Sequence, residues 1–149
     1  MDGIAIRPAQ PGDRDGLIAL YRHLSPEDPS PEPALAEAAW RRLLASDLTT
    51  VFVAEDAGTP VASCTLVVVP NLTRDARCYA LIENVVTHAG YRRRGLSQAV
   101  LKAALDTAWA GGCYKVMLAS GSREEGTLLF YERAGFTRGG KTFFEMRRL

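Results

Sequence analysis

An α+β fold, layered α/β/α around one mixed and mostly antiparallel sheet with about four helices, is what the sequence predicts, on three observations. Apolar patterning along the chain runs strand, two helices, three strands, helix, strand, helix, strand. Two β-branched runs, Val51–Glu55 and Val61–Val69, flank the turn Asp56-Ala57-Gly58-Thr59-Pro60 and so form an antiparallel hairpin. A strand over 77–87 and another over 114–118 are joined by a helix; such a crossover is right-handed and makes its strands parallel neighbours. At 149 residues the chain reads as a single domain, 1–149, large enough to bury its own core.

The elements follow in order. Ile4-Ala5-Ile6-Arg7-Pro8-Ala9 alternates as a short strand that its proline stops. Asp13 or Asp15 caps the next helix, whose Leu17, Ile18, Leu20, Tyr21 and Leu24 recur at helical spacing. Four prolines between Ser25 and Pro33 cannot continue a helix, so this stretch is a stiff acidic loop. A second helix covers Ala34 to Ala45, with Leu35, Ala38, Ala39, Leu43 and Leu44 inward. After the hairpin, the polar loop Pro70–Ala76 leads into the central strand. A helix over Leu96–Ala110 ends at Gly111-Gly112. Beyond the strand over 114–118 come a polar loop, Ser120–Arg123, a helix over Glu124–Ala134 and a final strand over Thr142–Arg147.

Composition narrows the functional classes. The chain is 47% hydrophobic and 23% charged with a net charge of +1, which gives no general affinity for nucleic acid or an anionic membrane. Cys64, Cys78 and Cys113 have no Cys-x-x-Cys spacing and read as small buried hydrophobes. No signal-peptide pattern opens the chain, and no apolar run reaches the roughly 18 residues of a membrane span, so a cytoplasmic location is expected. His23 falls at a helix end and His88 in a loop, neither at metal-ligand spacing, so no metal is expected.

The chemistry concentrates between Leu81 and Val100. A β-branched strand runs into the turn Arg92-Arg93-Arg94-Gly95, and a helix starts at Leu96. Unpaired N–H groups and the positive end of a helix dipole meet at such a turn, which suits a phosphate or diphosphate. Gly95 permits close backbone approach and the arginines add charge-assisted contacts. The same pattern also describes a plain strand, a solvated basic loop and a helix. Neither the Walker pattern nor Gly-x-Gly-x-x-Gly is present.

Arg92-Arg93-Arg94-Gly95-Leu96-Ser97 resembles the Arg/Gln-x-x-Gly-x-Gly/Ala signature of the GNAT superfamily of acyl-CoA N-acyltransferases, with Ser97 in place of the usual Gly or Ala. Phe130-Tyr131-Glu132-Arg133-Ala134-Gly135-Phe136 is similar to that family's Phe-Tyr-Glu-Lys-x-Gly-Phe segment. The resemblance implies a central parallel strand pair splayed into a V-shaped cleft that takes the pantetheine arm of acetyl-CoA. It assigns coenzyme contacts to the backbone of Val85, Val86 and Thr87, to the turn Arg92, Arg93, Arg94, Gly95, Leu96, Ser97 and Gln98, and to Phe130. A main-chain N–H near Val86 would polarise the thioester carbonyl. Glu124 stands where the family often has Asn, so that contact is not carried over.

Tyr131 matches the family's tyrosine that faces the sulfur, where a phenol can protonate a departing thiolate; periodicity alone reads it as packing on Phe130 and Phe136. Glu83 is the candidate base, because a carboxylate in an apolar strand needs a cavity or a partner, and partial burial there would favour proton uptake. It reads equally as a solvent-facing or arginine-paired glutamate, and Asn84 as a hydrogen-bonding group for the acceptor. The two N-terminal helices and the proline loop would wall the acceptor site, with Glu27, Asp28 and Glu32 attracting an amine or merely solvating the loop.

The expected activity is acetyl transfer from acetyl-CoA to the primary amine of a small molecule, by direct attack in a ternary complex. Ile82-Glu83-Asn84-Val85-Val86 and Gly112-Cys113-Tyr114-Lys115 look similar to segments of the glucosamine-phosphate N-acetyltransferase branch. A protein lysine or N-terminal acceptor, or a non-catalytic acyl-CoA binding domain, are the alternatives. A homodimer is expected from the resemblance.

Overall fold

The computed structural model describes residues 3–148. Their contacts divide the chain into two compact units between Met117 and Leu118. The first holds β1 (Ile4–Pro8), a 3-10 turn at Pro11–Asp13, α1 (Arg14–Tyr21), α2 (Pro33–Ala45), β2 (Thr49–Asp56), β3 (Thr59–Val69), a single turn α3 (Thr73–Ala76), β4 (Tyr79–Thr87), a 3-10 turn at Ala89–Tyr91, α4 (Leu96–Ala110) and β5 (Val116–Met117). The sheet order is β1-β2-β3-β4-β5, antiparallel throughout except for the parallel β4–β5 pair.

Burial explains the layering. Every residue of β3 from Pro60 to Leu66 is buried, so both faces of the sheet are covered there. On one face Leu17 and Leu20 of α1, Trp40 of α2, Val51, Val53 and Val86 form a single cluster. Phe52 and Cys64 are register partners on the opposite face, where the Cys64 thiol donates to the Val100 carbonyl of α4 at 3.3 Å. The stripe Leu96, Val100, Leu101, Ala104 and Ala108 accounts for how α4 docks. Gly16 of α1 is set by close approach, since a Cβ there would lie 2.8 Å from Cδ of Pro60.

Several expectations are corrected. Asp13 does not cap α1; its carboxylate turns back to accept from Arg7 Nη1 and Nη2 at 2.7 and 2.9 Å and from the Gln10 N–H at 2.6 Å. The hydrogen bonds from Arg7 hold this buried carboxyl below the usual carboxylate range, against its desolvation. Glu32 is a cap, accepting from the Leu35 N–H at 2.9 Å at the start of α2. The loop after β3 contains α3, whose Arg74, Asp75 and Ala76 all have left-handed φ of 59°, 63° and 56°. The strand expected over 114–118 shrinks to Val116–Met117.

The second unit contains α5 (Glu125–Arg133). Gly135, at φ 99°, ends it by donating its N–H to the Glu132 carbonyl, and the Phe136 N–H reaches that of Tyr131. The strand expected over Thr142–Arg147 is not formed. Among the described residues no other strand lies within this unit to complete a ladder, and Phe143, Phe144 and Met146 are exposed.

Candidate functional site

β4, the turn after it and α4 bring together Glu83, Asn84, Val85, Val86, Thr87 and the whole run Arg92–Gln98 within the first unit. β4 pairs with β5 only at Ala80↔Val116 and Leu81↔Met117. From Ile82 onward, its edge away from β3 has no strand partner among the described residues. The parallel pairing therefore ends after two residue pairs.

A β-bulge lies just beyond that pairing. Thr65 pairs with Glu83 and Ser63 with Val86, so Asn84 and Val85 together face the single residue Cys64. Asn84 takes φ 52°, a conformation Asn tolerates better than most side chains. The Ala80 N–H goes to Lys115 on the β5 side and the His88 N–H to Val61 on the β3 side. Strand alternation cannot connect these two directions without the extra residue. Beyond the bulge, alternation puts the N–H groups of Val85 and Thr87 on the open edge and that of Val86 toward β3. The Val86 side chain, 5% exposed, belongs to the core cluster. Glu83 and Asn84 are exposed rather than partly buried.

At the far end of β4 the Thr87 and Ser97 hydroxyls lie 2.5 Å apart and tie the strand to the first turn of α4. Gly95 is the N-cap at φ 77°, with no side-chain cap. Its carbonyl takes the first helical bond, from Ala99 at 3.0 Å, so the N–H groups of Leu96, Ser97 and Gln98 precede any intrahelical acceptor. Arg92, Arg93 and Arg94 are exposed and have no carboxylate partner among the described residues. Three free donors at a positive helix end, beside three guanidinium groups, fit a diphosphate.

The turn is braced by groups that sequence reading passed over. Tyr91 donates to Asp56 Oδ2 at 2.7 Å, and the Arg94 guanidinium stacks 4.9 Å from the Tyr91 ring centroid. That hydrogen bond raises the Tyr91 phenol above its ordinary range. His88 accepts from the Gly90 N–H at 3.1 Å, and its ring lies 4.2 Å from that of His23.

A cavity of about 250 Å³ opens between the end of α1 and the proline loop, lined by Tyr21, Arg22, Ser25, Asp28 and Ser30 among others. Sequence spacing alone places Tyr21 in the apolar stripe of α1. Its phenol is raised above the ordinary range by burial. The acidic character of the loop was the available signal, since Asp28 lines this cavity. In the second unit Tyr131 on α5 is half-buried, with ring centroids 5.0 Å from Phe130 and 6.2 Å from Phe136.

Known proteins resemble this chain in sequence and in fold. The profile of the acetyltransferase (GNAT) family matches residues 17–136. A glucosamine 6-phosphate N-acetyltransferase of Trypanosoma brucei brucei is 34% identical over 133 residues, covering 89% of this chain and 88% of its own. Glucosamine 6-phosphate N-acetyltransferase 1 of Oryza sativa subsp. japonica is 33% identical over 135 residues, covering 88% and 79%. Among solved structures, a candidate acetyltransferase of Agrobacterium tumefaciens str. C58 superposes with a TM-score of 0.91 at 46% identity, covering 97% of this chain and 99% of that one.

Proposed function

The chain belongs to the acetyltransferase (GNAT) family and is an acyl-CoA-dependent N-acetyltransferase, and from that premise we propose that it acetylates the primary amine of a small amino sugar by direct attack in a ternary complex. The observation that carries the reading is the β4 edge left unpaired beyond Leu81, which ends at the uncapped start of α4.

Acetyl-CoA supplies a thioester already activated toward amines. The protein's contribution is to hold the two reactants in line, which is worth roughly 7–11 kcal/mol in a two-substrate step. The N–H groups of Leu96, Ser97 and Gln98, with Arg92, Arg93 and Arg94, hold the diphosphate. Val85 and Thr87 offer open-edge N–H groups to the pantetheine arm, and the nearer one polarises the thioester carbonyl as charge develops on its oxygen. Val86 supports them through its side chain in the core, its own N–H being turned toward β3. Glu83 takes the amine proton, directly or through water, and Asn84 hydrogen-bonds the acceptor. Tyr131 gives a proton to the departing thiolate, and Phe130 packs beside the coenzyme; both roles rest on the family motif.

The identities of about one third to two curated glucosamine 6-phosphate N-acetyltransferases support an amino-sugar acceptor, and Asp28 in the α1-side cavity supplies negative charge for an ammonium group. Among the described residues no helix is long and apolar enough to cross a membrane. A cytoplasmic homodimer completes the proposal, and size-exclusion chromatography with light scattering tests the dimer.

An acceptor screen tests the whole reading. With acetyl-CoA present, thiol release should appear with an amino-sugar phosphate and stay at background with lysine-containing peptides. Release with peptides alone would transfer the assignment to a protein acceptor.

A further inference from the structure

Two of the three cysteines are not the isolated apolar side chains that their spacing suggests. The Cys78 and Cys113 sulfurs lie 3.2 Å apart, although the residues are 35 positions apart in the chain. Cys78 is half-buried just before β4, while Cys113 is 7% exposed just after α4. Both are free thiols. The Cys78 thiol also reaches the Gly111 carbonyl at 3.4 Å. With its own proton directed there, Cys78 accepts from Cys113. Burial, and then this contact, push the Cys113 thiol up to about 11.

The backbone around the pair is fixed on both sides. The Tyr114 N–H donates to the Cys78 carbonyl at 2.9 Å, and the Ala80 N–H donates to that of Lys115 at 3.0 Å. The Cys113 N–H closes the end of α4 by donating to the Ala108 carbonyl at 3.0 Å. The two thiols thus sit beside the paired start of β4 and β5, on segments already held together by main-chain bonds. We propose that Cys78 and Cys113 form an oxidisable dithiol, which a peroxide converts into an intramolecular disulfide that staples the start of β4 to the segment joining α4 and β5.

The accessible sulfur reacts first. Cys78 attacks one peroxide oxygen, the O–O bond breaks, and Cys78 becomes a sulfenic acid as one water leaves with the thiol proton. The Cys113 sulfur then attacks Cys78, the S–O bond breaks, and the hydroxyl departs with the Cys113 proton as a second water. Two thiols lose two hydrogens and two electrons, and one peroxide becomes two waters. Cys64, fully buried and bonded to the Val100 carbonyl, takes no part and serves as an internal control. The proposal is independent of acyl transfer.

Its test uses the full chain, reduced, freed of reductant, treated with hydrogen peroxide, then denatured and alkylated. Peptide mass spectrometry should show Cys78 and Cys113 in one cross-linked species, lighter by two hydrogens than the reduced pair, with Cys64 alkylated. C78S and C113S should each lose that species. Oxidised wild type should melt several degrees above the reduced protein, and dithiothreitol should reverse the rise, because a cross-link over this span restricts the unfolded chain. Recovery of both thiols alkylated, of Cys78 as sulfinic acid with Cys113 still alkylatable, or of a bridge to Cys64 would overturn the proposal. C78S, at the less buried position, keeps the test available if C113S does not fold.

Discussion

The Thr87 hydroxyl lies 2.5 Å from that of Ser97, and this contact joins the last residue of β4 to the first turn of α4. It places a small polar side chain where the family signature usually has Gly or Ala, and gives that side chain a partner. Thr87→Val keeps the shape and leaves the Ser97 hydroxyl unpaired. The expected loss is about 1 kcal/mol of stability, read by thermal unfolding, together with weaker acetyl-CoA binding. Ser97→Ala should restore much of the loss when combined with it, since both polar groups are then gone.

Gly95 holds φ 77° with nothing within 4 Å of where a Cβ would stand, so an alanine there meets conformational cost and no clash. Gly95→Ala should destabilise by about 1 kcal/mol and raise KM for acetyl-CoA more than it lowers kcat. Steady-state kinetics with varied acetyl-CoA separates the two effects. A change confined to kcat would take the diphosphate away from this turn.

Glu83 and Tyr131 have separable expected signatures. Glu83→Gln should lower kcat at neutral pH and flatten the acid limb of the pH–rate profile, since the amine must then lose its proton to solvent. Tyr131→Phe should leave coenzyme affinity near wild type while lowering kcat by about 10²-fold. Calorimetric titration with CoA and a pH series with one acceptor check both.

Asp13 tests the structural side. Its carboxyl is held below the ordinary value of 3.8, chiefly by hydrogen bonds from Arg7, so its contribution is present above that value and disappears as pH falls through the lower folded-state value. Asp13→Asn should cost about 2 kcal/mol at neutral pH, and the difference from wild type should shrink in strong acid. Unfolding curves from neutral pH down to pH ~2 would show the convergence.

How much the sequence reveals follows from where the information is local. The bounds of α4 are readable because Gly95 precedes an apolar-periodic run and Gly111 ends it, all within one stretch. The hairpin β2–β3 is legible for the same reason. The bulge at Asn84 is not, because it depends on the register with Ser63 and Thr65. The exposure of Glu83 depends on what packs over that face of β4, the brace from Tyr91 to Asp56 on distant pairing, and the closeness of Cys78 to Cys113 on the crossover. Thr142–Arg147 has a strand-like composition but lacks a neighbouring strand within its own unit, and composition alone carries no such information.

The central claim is that the free amides at the start of α4, with the adjacent arginines, grip the diphosphate of the coenzyme. Calorimetric titration of the wild-type chain with CoA and with pantetheine, which lacks the diphosphate, tests it most directly. The account predicts that CoA binds at least about 100-fold more tightly, a difference near 3 kcal/mol. Equal affinities for the two would contradict it.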